Sequence, residues 1–313
     1  MTPSLFDLPL RLGDAALLAP ILLELLGSRS APVTSEQRVR VASRATGLRF
    51  SALKPSYGSL ERDPVHPSAC YLCVDAIGGQ PLLLRVAPAS TPSSGLFPRA
   101  ILIGRTFIGR EEVVFNVVPF GPRDREHIET VSARINRVFQ PKVLGARPVL
   151  RFTSDAPAQT FPSALENFGR GRTSRNREEP VFVLGQGQNA AEFCLETMWA
   201  AIRAGWREGY GVQANPTTAD EARACVGFTR FGIESAVAMQ WFRKPCDIEL
   251  LTTIDRMEPN LRALKEAGCA VQSVALLCNQ EPQEGIAAIA REYRAVLNLR
   301  TIHLAGETAG MLT

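Results

Sequence analysis

Residues 197–235 read TMWAAIRAGWREGYGVQANPTTADEARACVGFTRFGIES. An apolar-striped helix runs out between Gly205 and Gly209, GYGVQA follows as a short strand, and Asn215-Pro216 opens a loop. Thr217 or Thr218 is placed to cap a second helix, after which CVGFTRFGI reads as a buried strand. Helix, strand, helix, strand at this spacing is the rhythm of a parallel sheet or barrel. In such folds the C-terminal ends of the strands carry the chemistry.

The same rhythm extends in both directions. Candidate strands are RPVLRFTS, EPVFVLGQ, GYGVQA, GFTRFGIES, DIELLTTID, VQSVALLCN and RTIHLAG. Helices are expected around Ala190 to Ala204, Ala219 to Cys225, Glu258 to Ala267 and Glu284 to Val296. These seven β units predict an α/β fold over residues 143–313, a TIM-like (β/α) barrel one strand short of the usual eight. Either an N-terminal segment completes the sheet or the barrel stays open.

Residues 1–142 read as a small N-terminal α+β domain. Residues 1–30 suggest one helix, with Asp14 as N-cap and Gly27 as its stop. Residues 31–64 are mixed and turn-rich. The runs ACYLCVDAI, PLLLRVA, AILIG and EEVVFNVVPF then alternate with Gly-, Pro- and Ser-containing turns. DREHIETVSARINRVF (124–139) carries Ile128, Val131, Ile135 and Val138 at helical spacing, and residues 140–148 read as a linker.

Composition sets the outer bounds. The 313 residues are 45% hydrophobic and 21% charged, ordinary for a globular protein. A net charge of +4, with Lys and Arg scattered, argues against nucleic acid. The densest basic run, GRGRTSRNR at 169–177, reads as a solvated loop. The apolar run from Leu17 to Leu26 is too short for a bilayer and is broken by Pro20 and Glu24, so no membrane partner is expected. MTPSLFDLPLRL lacks the basic start and cleavage site of a secretory leader, and the seven cysteines are expected to be reduced thiols of a cytoplasmic protein. Cys70-x-x-Cys73 lies in a strand and not at a helix N-terminus, so it reads as two packing residues.

The segment WAAIRAGWREGYGVQANPTTADEARACVGFTRFGI resembles the tagaturonate epimerase family, bacterial enzymes that interconvert tagaturonate and fructuronate. The shared features are a helix ending in an EG(F/Y)G turn, a strand, and GFT-x-F-x-I. DIELLTTIDRMEPNLRALKEAGCAVQSVALL and YRAVLNLRTIHLAGETAG are similar to later strands of that family. The resemblance implies a TIM-type barrel with a small N-terminal domain and isomerase chemistry on a hexuronate or related sugar acid. The departures matter as much. Asn215-Pro216 stands where the family has an Asp-His pair, Leu304-Ala305-Gly306 where a late strand supplies a His, and Thr153 to Ala156 where it has a Gly-Asp-Arg loop. Catalytic competence is therefore in doubt, and the alternative is a non-catalytic barrel kept as an interaction or structural protein.

Epimerisation beside a carbonyl needs a base, or a metal to hold the enediolate. The chain has three histidines, and only His303 falls in a barrel strand. A divalent metal would therefore be absent or weakly held, with His303 as its ligand and Asp255, Glu258 and Glu307 as the catalytic acids. Asp255 is expected at the end of DIELLTTID, or as an N-cap. Glu234 closes GFTRFGIES with no assigned direction. Gln186, Gln188 and Asn189 in LGQGQN, with Gln213 in the next strand and Asn215 just after it, are the candidate sugar-acid contacts. LGQGQN reads equally as a plain turn with Asn189 as N-cap, and it lacks the third Gly of a dinucleotide site. Trp199 and Trp206, seven apart, read as core. None of these strands carries a Schiff-base lysine, and self-association into a homo-oligomer stays open.

Overall fold

The computed structural model describes residues 12–26, 32–51, 53–145, 147–171, 178–239, 242, 244–251, 254–266, 268, 271–277, 301–305 and 311–312. The chain divides into two compact units: residues 1–140 with 198–207, and residues 141–197 with 208–313. The expected helix at 284–296 lies outside the described residues.

The first unit is built on an antiparallel sheet. Its strands are β1 (Lys54–Arg62), β2 (Cys70–Asp75), β3 (Pro81–Pro88), β4 (Ile101–Ile108) and β5 (Glu111–Pro119), in the order β1-β2-β3-β5-β4. Strict alternation gives the sheet two different faces. Leu72, Val74, Leu82, Leu84, Val86 and Phe115 form one apolar core with Leu18 and Leu22 of α1 (Leu12–Leu26) and Val41 of α2 (Ser35–Ala45). The segment at 31–64, read as turn-rich, holds both α2 and β1. Thr34 and Gln37 close a reciprocal capping box on α2, a local signal that the polar stretch SEQRVRVASRA concealed. Asp14 does not cap α1. It is buried inside the helix, where Oδ1 accepts from Ser51 N at 3.0 Å and Ser51 Oγ at 3.1 Å.

The helix expected over 124–139 is broken into α3 (Arg125–Thr130), a π turn (Val131–Ile135) and a 3₁₀ turn (Arg137–Phe139). Asn136 interrupts it with extended backbone (φ −150°, ψ 107°), and its Nδ2 reaches Glu61 Oε1 at 3.1 Å. The same Oε1 of this buried carboxylate also accepts from Arg38 Nη2 at 3.1 Å and from Arg207 Nε at 3.1 Å. Residues 198–207 seal the unit further. Trp199 Nε1 donates to Phe120 O at 2.6 Å, and Arg203 forks onto Asp75 at 2.7 and 2.6 Å.

The second unit is a sheet of seven parallel strands with one antiparallel addition. Their order, β6 to β13, is sequential. The strands are β6 (Val149–Phe152), β7 (Glu179–Val183), β8 (Gly211–Ala214), β9 (Arg230–Ile233), β10 (Cys246–Leu251), β11 (Val271–Leu277), β12 (Thr301–Ala305) and β13 (Met311–Leu312). Four helices alternate with them: α4 (Pro157–Gly171), α5 (Ala190–Ala204), α6 (Ala219–Ala224) and α7 (Ile254–Glu266). Among the described residues the sheet is open, with β6 and β13 each flanked on one side only, and no N-terminal strand completes it.

The helix-facing side is aromatic. Phe182 stacks on Phe161 of α4 at 4.1 Å between ring centres, and Phe152, Tyr210, Phe193 and Phe231 extend the layer. Thr218 caps α6, its side chain accepting from Glu221 N. The expected strand CVGFTRFGI contracts to Arg230–Ile233, because Cys225 closes α6 and Phe228 N bonds back to Cys225 O.

Candidate functional site

On the opposite face of the parallel sheet the register aligns polar residues. Arg151 pairs with Val181, Val181 with Gly211, Gln213 with Arg230, Arg230 with Asp247, and Glu249 with Gly232. All of these therefore share one face. Arg151 on β6 donates a short charge-assisted hydrogen bond to Glu249 on β10, although three strands lie between them. At about 4.8 Å per strand a flat sheet would hold their backbones roughly 19 Å apart. The pair closes only because the sheet curls toward this face, which is its concave side.

The centre of the concave face is Glu249, which is 2% exposed. Its Oε1 accepts from Arg151 and from Arg230 Nε (2.9 Å) and Nη2 (2.6 Å), while Oε2 accepts from Gln213 Nε2 at 3.0 Å. Burial pushes the carboxyl pKa upward, but the charges and hydrogen bonds of Arg230 and Arg151 outweigh it and hold the Glu249 pKa below the usual carboxylate range. It is therefore a poor proton acceptor near neutral pH.

Two buried polar atoms in the array have no hydrogen-bond partner: Arg230 Nη1 and Gln213 Oε1. They belong to residues in direct register. Gln213 Nε2 also donates to Asn215 Oδ1 at 3.1 Å, and Asn215 is exposed just beyond the C-terminal end of β8. Gly232 makes room for this arrangement. A Cβ there would overlap Asn215 Oδ1 and sit 3.3 Å from Gln213 Nε2. Counting Asp247 on the same face, the array has two guanidinium groups and two carboxylates and no net charge. It does not fit a divalent cation, because both oxygens of Glu249 are already held by N–H donors and Asp247 Oδ2 accepts from Leu144 N and Gly145 N. Among the described residues no group of His, Cys, Asp and Glu is arranged to hold a metal.

The residues expected from sequence divide sharply. Gln213 and Asn215 belong to this array. Gln188 does not: its Oε1 accepts from Gly185 N at 2.7 Å and its Nε2 donates to Ser154 O at 2.9 Å, which closes a turn. Asn189 Oδ1 accepts from Ala191 N and Glu192 N, so it caps α5, and Gln186 is exposed in the same turn. Asp255 does not end a strand, because β10 stops at Leu251 and Asp255 lies in the first turn of α7. Glu258 is exposed on α7 and pairs with Arg262 at 2.7 Å, one helical turn on. Glu234 is exposed, and its carbonyl accepts from Asn260 Nδ2. His303 lies in β12 in register with Ala275. Glu307 lies outside the described residues.

Arg151, Arg230 and Glu249 were not among the sequence candidates. Their signal is a charged residue in the middle of each apolar strand, PVLRF, TRFGI and DIELL. Cys70 and Cys73 are buried, and burial pushes their thiols up to about 12 and about 11, which removes them as nucleophiles. No helix among the described residues is long and apolar enough to cross a membrane. No protein-family model, curated protein or solved structure matches the chain.

Proposed function

We propose that the second unit is a diverged, shortened (β/α) barrel of the sugar-acid epimerase type, and that its concave face binds a small polyhydroxylated carboxylate of the hexuronate class. The observation that carries this reading is the adjacent pair of partnerless buried atoms, the donor Arg230 Nη1 and the acceptor Gln213 Oε1. A sugar acid satisfies both at once: its carboxylate accepts from the guanidinium and a neighbouring hydroxyl donates to the amide oxygen. Asn215, at the exposed edge, is placed to take a further hydroxyl. The sequential strand order and the resemblance around residues 197–235 support the same reading.

Binding is favoured over epimerisation. Removing a proton beside a carbonyl wants a base whose pKa lies near the working pH, and Glu249 is held well ionised by two arginines. Fructuronate, tagaturonate and galacturonate are expected to raise the unfolding temperature of the full chain, while galactitol leaves it unchanged. At a hundredfold excess over Kd the stabilisation is about 2.7 kcal/mol, a shift of roughly 5–10 °C for a unit of this size. Gly232→Ala displaces the exposed Asn215 side chain and not backbone. It should therefore abolish the shift at a stability cost under about 1 kcal/mol. Indifference to every hexuronate, or an equal response to galactitol, would reject the proposal and leave the non-catalytic interaction role.

A further inference from the structure

The first unit carries a second site of different chemistry. On the sheet face away from α1 and α2, one cross-strand row runs over four strands: Tyr71 pairs with Arg85, Arg85 with Asn116, and Asn116 with Leu102. A pocket of about 320 Å³ lies over this row, walled by Phe97 and Ser94. That volume is at the small end of what ligand sites enclose. The segment above it is tied down. Ser94 Oγ and Tyr71 Oη lie 2.9 Å apart, and Phe97 packs edge-on against Tyr71 at 5.3 Å. The pocket is thus preformed.

Arg85 is the unexplained member. It is 8% exposed in the middle of the apolar strand PLLLRVAP. Only its Nη2 has a hydrogen-bond acceptor, Pro92 O at 2.9 Å. Nε is buried without one, 3.7 Å from Asp63 Oδ2. Asp63 does not need Arg85, because its oxygens already accept from Val65 N, His66 N and Tyr71 Oη. Asn116, the next residue of the row, makes no side-chain hydrogen bond, so a guanidinium with a single hydrogen bond and an amide with none lie side by side in a pocket lined by Phe97, Leu102 and Val114 on one hand and by the hydroxyls of Thr91 and Ser93 on the other. A buried guanidinium with spare N–H donors is made to fork a carboxylate.

We infer that this pocket binds a small monocarboxylate with an aromatic or aliphatic body, its carboxylate on Arg85 and Asn116 and its body against Phe97 and Leu102. The inference is independent of the concave-face reading.

Titration of the full chain with phenylacetate or hexanoate, followed by amide chemical shifts and calorimetry, tests it. Phenylacetate should bind and perturb β3 and β5, and the isosteric neutral phenylacetamide should bind at least tenfold more weakly. Leu102 is 42% exposed, so Leu102→Trp fills the mouth without touching the core and should weaken phenylacetate at least tenfold. Arg85→Gln should do the same, and the mouth variant keeps the test decisive if Arg85→Gln fails to fold. Gly232→Ala should leave phenylacetate binding intact. No binding of either acid in the millimolar range, equal binding of the amide, or full binding to Leu102→Trp would overturn the assignment.

Discussion

At the scale of single residues, the chain concentrates its electrostatic risk in Glu249. Two guanidinium groups and one amide converge on a carboxylate that is 2% exposed. Removing one partner of a buried ion pair strands the others, at about 3–5 kcal/mol. Glu249→Gln is therefore expected to cost about that much at pH 7 in urea unfolding. The loss should be smaller when Arg230→Met and Glu249→Leu are combined than the sum of the two alone. The sign of the pH effect follows from the lowered folded-state pKa of Glu249. Its stabilisation is full above the unfolded carboxylate value of about 4.3 and is lost as pH falls through the folded value. Acidification through that window should destabilise the native protein, and Glu249→Gln should flatten this acid limb. An acid limb of unchanged slope in the variant would show that other carboxylates carry it.

At the scale of elements, two glycines with positive φ separate strain from steric exclusion. Gly205, just after α5, has φ +66°, and a Cβ there would overlap the Cα and carbonyl of Gly58 in β1. A Cβ on Gly58 would in turn meet Ala204 O at 2.7 Å. Gly109, in the β4–β5 hairpin, has φ +62° but open space around its Cβ position. Gly109→Ala should cost only the left-handed penalty of about 1–2 kcal/mol. Gly205→Ala must also push two backbones apart and should exceed about 4 kcal/mol, read as a drop in the urea midpoint. Equal costs would mean that β1 can move away freely. The same contrast explains what was legible in advance. Period-2 and period-3.6 apolar patterns located β2 to β5 and the strands and helices around residues 197–235, because those patterns report local burial. They missed α4 and α2, whose stability rests on capping or on distant packing, and they ran α3 straight through Asn136. Gln213 and Asn215 were legible as groups near a strand end. Arg151, Arg230 and Glu249 were not, because polar residues alternating with apolar ones look solvated until the curl of the sheet brings them together.

At the scale of the whole molecule, the chain does not lay down its two units one after the other. The first unit is finished only by residues 198–207, which follow a long excursion through 141–197. That return supplies the fork of Arg203 on Asp75, the Arg207 contact with Glu61, the Trp199 bond to Phe120 O and the Gly205–Gly58 approach. A fragment of residues 1–140 contains every strand of the antiparallel sheet and both helices of the α1–α2 core. It loses charge-assisted bonds to two carboxylates, and Glu61 is left with Arg38 and Asn136 alone. Such bonds contribute about 1.5–3 kcal/mol each, against total domain stabilities of about 5–15 kcal/mol. Losing several together removes most of the margin. The fragment 1–140 should therefore give a poorly dispersed amide spectrum and no cooperative urea transition. Joining residues 190–209 to its C-terminus through a flexible linker should restore both, because α5 and the turn after it carry every missing group. A fragment 1–140 that melts cooperatively by itself would show that the sheet and its helical cover suffice. The buried carboxylates would then matter for specifying the fold and not for holding it.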